Sequence, residues 1–485
     1  MKLLPRRRPT LLRLLAALAA AACVPTLRAQ APPADVDPRV ARLLEAVSEE
    51  RLARTLQKLA SFETRHTLST DAAGRGIGAA REWMLEELRA AGPRLLASFD
   101  TYQVPRQGER VTRDVELRNV MAVLPGRSAR RLYVSGHYDT VARQPGGSFD
   151  WTRTDNTAPG VNDDGSGTAL TMELARVFAQ SGLAFDATLV FIAFAGEEQG
   201  LFGARLHAQR AATEKWTVDG VLNNDIVGGV LGGDGASDSA SVRVFSEGPE
   251  DSPSRQLARA IERHAARYVP GHQVRLVARH DRFGRGGDHT AFNQRGFPAV
   301  RFTESKENYA RQHTAEDTFE GVSPPYLARN ARVNAAALAV LALAPPAPSV
   351  QDERGRPLLD RQPSGYDARL RWNASAGALG YRVFWRDTWA PDWQHERAVG
   401  DVTELVLPGL SIDDHVFGVA AFGPAGHESL VAAYVNPPRR DEPVLRTSLL
   451  ATRAARRREA GGLRGEREGH RSRSWPAALA FPPQR

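Results

Sequence analysis

Five short segments of the 485-residue chain gather histidines and carboxylates in patterns that suit metal chemistry. Ser135-Gly136-His137-Tyr138-Asp139-Thr140 sets an imidazole two residues before a carboxylate that can orient it. Gly160-Val161-Asn162-Asp163-Asp164-Gly165-Ser166-Gly167 carries two carboxylates into a glycine-rich turn, and Ala195-Gly196-Glu197-Glu198-Gln199-Gly200 carries two more. Asn223-Asn224-Asp225 and Gln312-His313-Thr314-Ala315-Glu316-Asp317 complete the set. Cys23 is the one cysteine of the chain, so an intrachain disulfide and a thiolate zinc cluster are both excluded. Any metal must be held by nitrogen and oxygen, a donor set that zinc accepts while keeping a position open for water. A carboxylate between two ions can bridge them at about 3.5–4 Å. One glutamate must then stay off the metals to take a proton from water. The adjacent Glu197 and Glu198 offer one base and one ligand.

Each segment alone has an ordinary reading. His137 could be a strand-end histidine, Asp163-Asp164-Gly165 a helix cap and turn, Glu197-Glu198 a solvated pair, and Asp225 a turn residue. Their shared placement separates them from chance. Arg131–Ser135, Thr188–Ala195 and Gly220–Asn224 read as strands, and His137, Glu197-Glu198 and Asp225 each follow one directly. Other chemistries lack their signatures. The chain has no G-x-S-x-G elbow and no G-x-x-x-x-G-K-[ST] loop, and neither His395-Glu396 nor His427-Glu428 has the second histidine of H-E-x-x-H.

The elements that must position these groups alternate. Asn119–Leu124 and Ser241–Phe245 add strands, while Leu170–Gln180, Phe202–Arg210, Pro253–Tyr268 and Pro325–Leu343 read as helices. Apolar residues also recur at helical spacing from Asp37 to Ala60 and over Ile77–Ala91. The alternation predicts an α/β sheet with helices on both faces and a ligand site beyond the strand C-termini. After the stiff Pro345-Pro346-Ala347-Pro348, five short segments read as strands of a small β-sandwich: Ala368–Trp372, Tyr381–Asp387, Thr403–Leu407, Val416–Ala421 and Leu430–Tyr434.

In their order along the chain, the five segments resemble the zinc exopeptidase family typified by bacterial leucyl aminopeptidases, whose relatives include glutamate carboxypeptidase-like enzymes and glutaminyl cyclases. The resemblance spans about Asp37 to Ala344. It implies a mixed β-sheet flanked by helices and two co-catalytic Zn2+ ions. His137 and Asp225 would bind one ion, Glu198 and His313 the other, and Asp163 would bridge them. Glu197 would be the general base of a bridging-hydroxide mechanism, with Asp139 and Asp317 orienting or supporting groups. Some relatives carry a tyrosine directly before the last histidine; here Gln312 stands there, and Tyr309 is a nearby candidate for substrate binding. Gly284-Arg285-Gly286-Gly287-Asp288-His289 resembles the family's G-R-S-D-H segment with one residue more, which makes Arg285 a second substrate-binding candidate. The implied activity is removal of N-terminal residues from peptides. A carboxypeptidase-like or cyclase-like reaction on the same fold and a non-catalytic binding protein are the alternatives. L-R-W, G-Y-R-V-F-W and G-P-A-G-H-E-S in the sandwich region resemble a fibronectin type III module.

The expected organisation is an export signal over 1–31, a catalytic domain over 32–344, a linker over 345–348, a sandwich over 349–437 and a basic, disordered tail over 438–485. A charged start, the apolar stretch Leu14–Ala22 and Ala29-Gln30-Ala31 form the signal pattern, which places the mature protein in the periplasm or outside the cell. Arg6-Arg7-Arg8 also suits a twin-arginine signal, and Cys23 offers a lipid-anchor position. The formal charge of +8 divides into +6 in the signal, +7 in the tail and −5 between them. A basic total therefore gives no reason to expect nucleic acid as a partner. Peptides are the expected substrates, and the sandwich or tail could contact the cell envelope or a polymer.

Overall fold

Two apolar strands explain how the sheet is built. In β3 (Arg131–His137) and β4 (Thr188–Phe194), successive side chains point to opposite faces, and both faces are buried. Leu132, Val134, Leu189, Phe191 and Ala193 join one core, while Tyr133, Val190, Ile192 and Phe194 join a second. A strand apolar on both sides needs a helical layer on each, and the sequence supplies them.

The computed structural model describes residues 36–69 and 74–435. The expected signal over 1–31 and tail over 438–485, with Cys23, lie outside the described residues. In chain order α1 (Pro38–Glu45), α2 (Glu49–Ala60) and α3 (Gly76–Ala90) lead into β1 (Leu96–Val104), β2 (Val115–Leu124) and β3. Then follow α4 (Gly165–Gln180), β4, α5 (Phe202–Thr213), β5 (Val218–Asn224), β6 (Ser241–Ser246), α6 (Pro253–Tyr268) and β7 (Gln273–Val277). The short α7 (Asp288–Asn293), β8 (Ala299–Glu304) and the long α8 (Pro324–Leu343) complete this part. The eight strands form one mixed sheet in the order β1-β2-β4-β3-β5-β8-β6-β7. Its centre, β4-β3-β5-β8, is parallel; β1 and β2 run antiparallel to their neighbours at one end, and at the other β6 pairs antiparallel to β8 and parallel to β7. Residues of α2, α4, α6 and α8 fill the first core and those of α5 and α7 the second.

The helical periodicity from Asp37 to Ala60 is two helices rather than one. Ser48 is extended (φ −103°), and its side chain caps α2 by accepting from the Arg51 N–H at 3.2 Å. Residues 345–350 are irregular and lead to two antiparallel sheets. β9 (Leu359–Arg361), β10 (Ala368–Arg371), β11 (Gly380–Asp387), β12 (His395–Val399), β13 (Glu404–Leu407), β14 (His415–Phe422) and β15 (Ala432–Ala433) pair as β13-β10-β9 and β12-β11-β14-β15. Leu370, Trp372, Tyr381, Val383, Phe417 and Val419 share one core between them. Among the described residues no helix is long and apolar enough to cross a membrane.

Candidate metal centre

The C-terminal ends of β3, β4 and β5 lie side by side, so the residues that follow them converge. His137 ends β3, Glu197 and Glu198 follow β4, and Asp225 follows β5. Asp163 sits in the turn that starts α4. Two glycines let that turn press against the strand ends. A Cβ on Gly167 would collide with the Asn224 carbonyl, and one on Gly136 would lie 2.6 Å from the Gly167 backbone. Asp164 caps α4 by accepting from the Gly167 N–H at 2.9 Å. It also accepts from the backbone N–H of His137 (3.0 Å) and Ile226 (3.2 Å), which clamps β3 and β5 to the same helix start. His313 and Ile226 take left-handed backbone conformations, at φ 58° and 60°, uncommon for residues with side chains and most so for a β-branched one. Such strain gathers at sites where the surroundings dictate side-chain direction.

The result is two triads that share one carboxylate. His137, Asp163 and Asp225 form the first, and Asp163, Glu198 and His313 the second; within each, one ligand atom per residue lies within 4.8 Å of the others. His137 Nε2 is 3.3 Å from Asp163 Oδ1 and 3.8 Å from Asp225 Oδ1. His313 Nε2 is 3.1 Å from both Asp163 Oδ2 and Glu198 Oε1. Asp163 therefore turns one oxygen into each triad. The Asp139 backbone carbonyl lies 3.2 Å from His137 Nδ1. A carbonyl can only accept, so Nδ1 carries a proton and Nε2 is the ring atom that faces the carboxylates. Among the described residues, Asp163 Oδ2 and Glu198 Oε1 are buried and accept no hydrogen bond. Two imidazoles and three carboxylates gathered in one buried space are a donor set for a cation.

The surrounding groups fix this set. The Asp139 carboxylate accepts from the Glu197 and Glu198 N–H groups at 3.1 and 3.2 Å and from the Thr67 hydroxyl at 3.2 Å. Its side chain thus holds the Glu197-Glu198 turn, while its backbone orients His137. Asp317 accepts from the N–H groups of Asn162 (3.0 Å) and Asp163 (2.9 Å). Burial pushes the Asp317 carboxyl up to about 7. Glu197 is partly exposed; desolvation pushes it well above the usual carboxylate range, with Glu198, Asp225 and Asp139 adding like charge against the pull of His137. Asp163 goes the other way. Burial opposes its charge, but His313 and His137 hold it well below the usual range.

The two substrate-binding candidates are not brought into the triads. Arg285 donates to Gln312 Oε1 at 3.3 Å and lies 3.8 Å from Glu307, and Tyr309 is 57% exposed. Gln312, directly before His313, is buried and donates to Glu307 at 3.2 Å. Sequence reasoning passed over two buried arginines. Arg301 binds Asp225 Oδ2 and Asp281 Oδ2, each at 3.0 Å, and so braces one triad from behind. Arg65 donates to the carbonyls of Tyr138 (2.6 Å), Leu59 (3.1 Å) and Gly160 (2.8 Å), pinning the loops on either side of the centre. The signal for both was an arginine inside an otherwise apolar or loop context, which calls for a buried acceptor.

The model of peptidase family M28 matches residues 119–338, which hold every residue of the two triads. A probable zinc metalloprotease of Pyricularia oryzae is 39% identical over 445 residues, covering 83% of this chain and 85% of the relative. Another, of Leptosphaeria maculans, is 38% identical over 417 residues, covering 79% and 93%. Among solved structures, Legionella pneumophila LapA aligns with a TM-score of 0.50 at 19% identity, over 65% of this chain and 79% of that one, a likeness of fold.

Proposed function

The chain belongs to peptidase family M28, and from that premise we propose that it is an exported two-zinc aminopeptidase. One observation carries the reading: Asp163 presents Oδ1 to the His137 triad and Oδ2 to the His313 triad, so a single carboxylate can serve two ions. His137, Asp163 and Asp225 would hold one zinc, and Asp163, Glu198 and His313 the other. Zinc at these positions would polarise a peptide carbonyl and make water acidic enough to attack at neutral pH.

The remaining work falls to the protein. Glu197 takes the proton from the attacking water and passes it to the departing amine, which its desolvated position favours by raising its basicity. Asp139 keeps Glu197 and Glu198 in register through their N–H groups, and Asp317 holds the Asp163 backbone. Export rests on the signal pattern over 1–31, and mass spectrometry of the mature protein should find its N-terminus after Ala31.

The reaction is tested with purified protein on matched unblocked and N-acetylated peptides, with and without chelator. Cleavage of unblocked peptides alone, abolished by chelation, is the expected outcome. Cleavage of the acetylated series, or release of C-terminal residues, would replace the aminopeptidase reading by another on the same centre.

A further inference from the structure

The connection between β3 and α4 does more than carry Asp163. At its middle, Arg143 and Phe149 pair as an antiparallel bridge, and the Arg143 N–H donates to the His313 carbonyl at 2.8 Å. That anchor sets the Phe149 ring edge-on to the His313 imidazole, with centroids 5.5 Å apart. Trp151 stacks on Phe149 at 5.1 Å and 21°, and its indole lies 6.5 Å from the His66 ring. Both Phe149 and Trp151 are partly exposed, so this aromatic wall starts at the metal centre and opens to solvent. Arg110 caps it, its guanidinium 5.0 Å from the Trp151 ring and its Nη1 donating to the Glu198 carbonyl at 3.2 Å.

His66 supplies the polar part. It is 3% exposed, and its Nδ1 accepts the Leu68 N–H at 3.0 Å. Accepting there leaves the ring proton on Nε2, and that atom has no partner among the described residues. A buried donor left unmatched is costly unless something fills it. Desolvation holds this imidazole down, at about 4, so it stays neutral and keeps that donor at working pH.

We propose that Phe149, Trp151 and His66 form a substrate subsite for the second residue of the peptide, taking a large apolar or aromatic side chain on the stacked rings and that residue's carbonyl on His66 Nε2–H. The inference rests on the aminopeptidase reading for its direction. The departing amine belongs to the second residue and must lie beside Glu197, which protonates it. The wall is fastened to that same turn through Arg110 at Glu198, and the His66 loop reaches it through Thr67 and Asp139. An apolar wall with a few placed polar groups is the usual make-up of a small-ligand site, and aromatic faces pair well with aromatic side chains.

The test compares kcat/KM for Ala-Phe-Ala, Ala-Ala-Ala and Phe-Ala-Ala. Wild type should prefer Ala-Phe-Ala to Ala-Ala-Ala by roughly tenfold. Trp151→Ala and Phe149→Ala should collapse that ratio, and Trp151→Phe should restore most of it. His66→Ala should raise KM for both Ala-first peptides. Trp389→Ala, exposed on the sandwich, should leave the ratio as in wild type. An unchanged ratio in Trp151→Ala, or a change confined to Phe-Ala-Ala, overturns the proposal. Calorimetric binding of Ala-Phe-Ala and Ala-Ala-Ala to zinc-loaded Glu197→Gln, with and without Trp151→Ala, needs no turnover. If wild type hydrolyses none of the peptides, the aminopeptidase reading falls. The subsite stands if the Phe preference in binding is lost with Trp151, and falls if binding never distinguishes the two.

Discussion

Charged groups are buried both at the strand ends and at the seam where the carboxy-terminal sheets meet the larger sheet, but they are treated in opposite ways. At the seam the buried Arg386 and Arg259 donate to acceptors, and so does the half-buried Arg263. Arg386, 1% exposed, donates to Asp251 (2.6 Å) and to the Asp387 carbonyl (3.1 Å). Arg259 binds the carbonyls of Pro391 and Glu250, each at 3.0 Å, and Arg263 binds Glu396 at 2.9 Å. His427 lies 2.8 Å from Asp37, so the sandwich also touches the start of α1. At the strand ends, among the described residues, Asp163 Oδ2 and Glu198 Oε1 accept no hydrogen bond. Buried arginines paired with acceptors tie parts of the fold together, whereas buried carboxylates gathered around two imidazoles are held ready for a ligand.

That contrast breaks most visibly at Glu197. Glu197→Gln should lower kcat by on the order of 10²–10⁴-fold, while metal analysis still finds zinc and the melting temperature barely moves. Retained activity would end the assignment of the base. Arg386→Met should do the reverse, costing about 1.5–3 kcal/mol of stability in denaturant titration while kcat/KM stays at the wild-type level. A large loss of kcat/KM at wild-type stability would join the seam to the chemistry. Gly167→Ala should disturb both measures, since its Cβ meets the Asn224 backbone beside Asp225. A cost of about 1–3 kcal/mol in stability, with weakened metal binding, is expected.

The smallest effect sharpens the comparison by pH. Glu304, 1% exposed, accepts from Asn162 Nδ2 at 2.8 Å and from the Gly229 N–H, and burial pushes its carboxyl up to about 8 from an ordinary value of 4.5. The folded state then holds a proton that the unfolded chain releases, so this group's stability contribution is full below pH 4.5 and is lost as pH rises to about 8. Glu304→Gln keeps an acceptor and cannot ionise, so its melting temperature should fall less than wild type's between pH 5 and 8.5. An identical fall in both would show that Glu304 is already charged at neutral pH.

The central parallel strands and the ligand-bearing turns were legible because both speak in local patterns: apolar runs with β-branched and aromatic residues, stopped by glycine or asparagine and followed by His, Asp or Glu. β8 was not legible. Its Ala-Val-Arg-Phe-Thr-Glu has a buried Arg301 and a buried Glu304 inside an apolar pattern, and distant partners such as Asp225, Asp281, Asn162 and Gly229 make that burial tolerable. β1 and β7 are edge strands in which only Asp100, Val104 and Val274 are buried, so neither shows the apolar run that marks the central strands. In the site, the double use of Asp139 was also hidden. Sequence spacing relates it to His137, but only the fold brings its carboxylate under the Glu197 and Glu198 N–H groups.

The most direct test of the account is a zinc titration of metal-free protein, following peptide hydrolysis and bound zinc together. Two triads joined by Asp163 predict that hydrolysis reaches its plateau at two zinc ions per chain, and that Asp163→Asn binds fewer and stays inactive. Full hydrolysis at one zinc per chain, or in the presence of excess chelator, would contradict it.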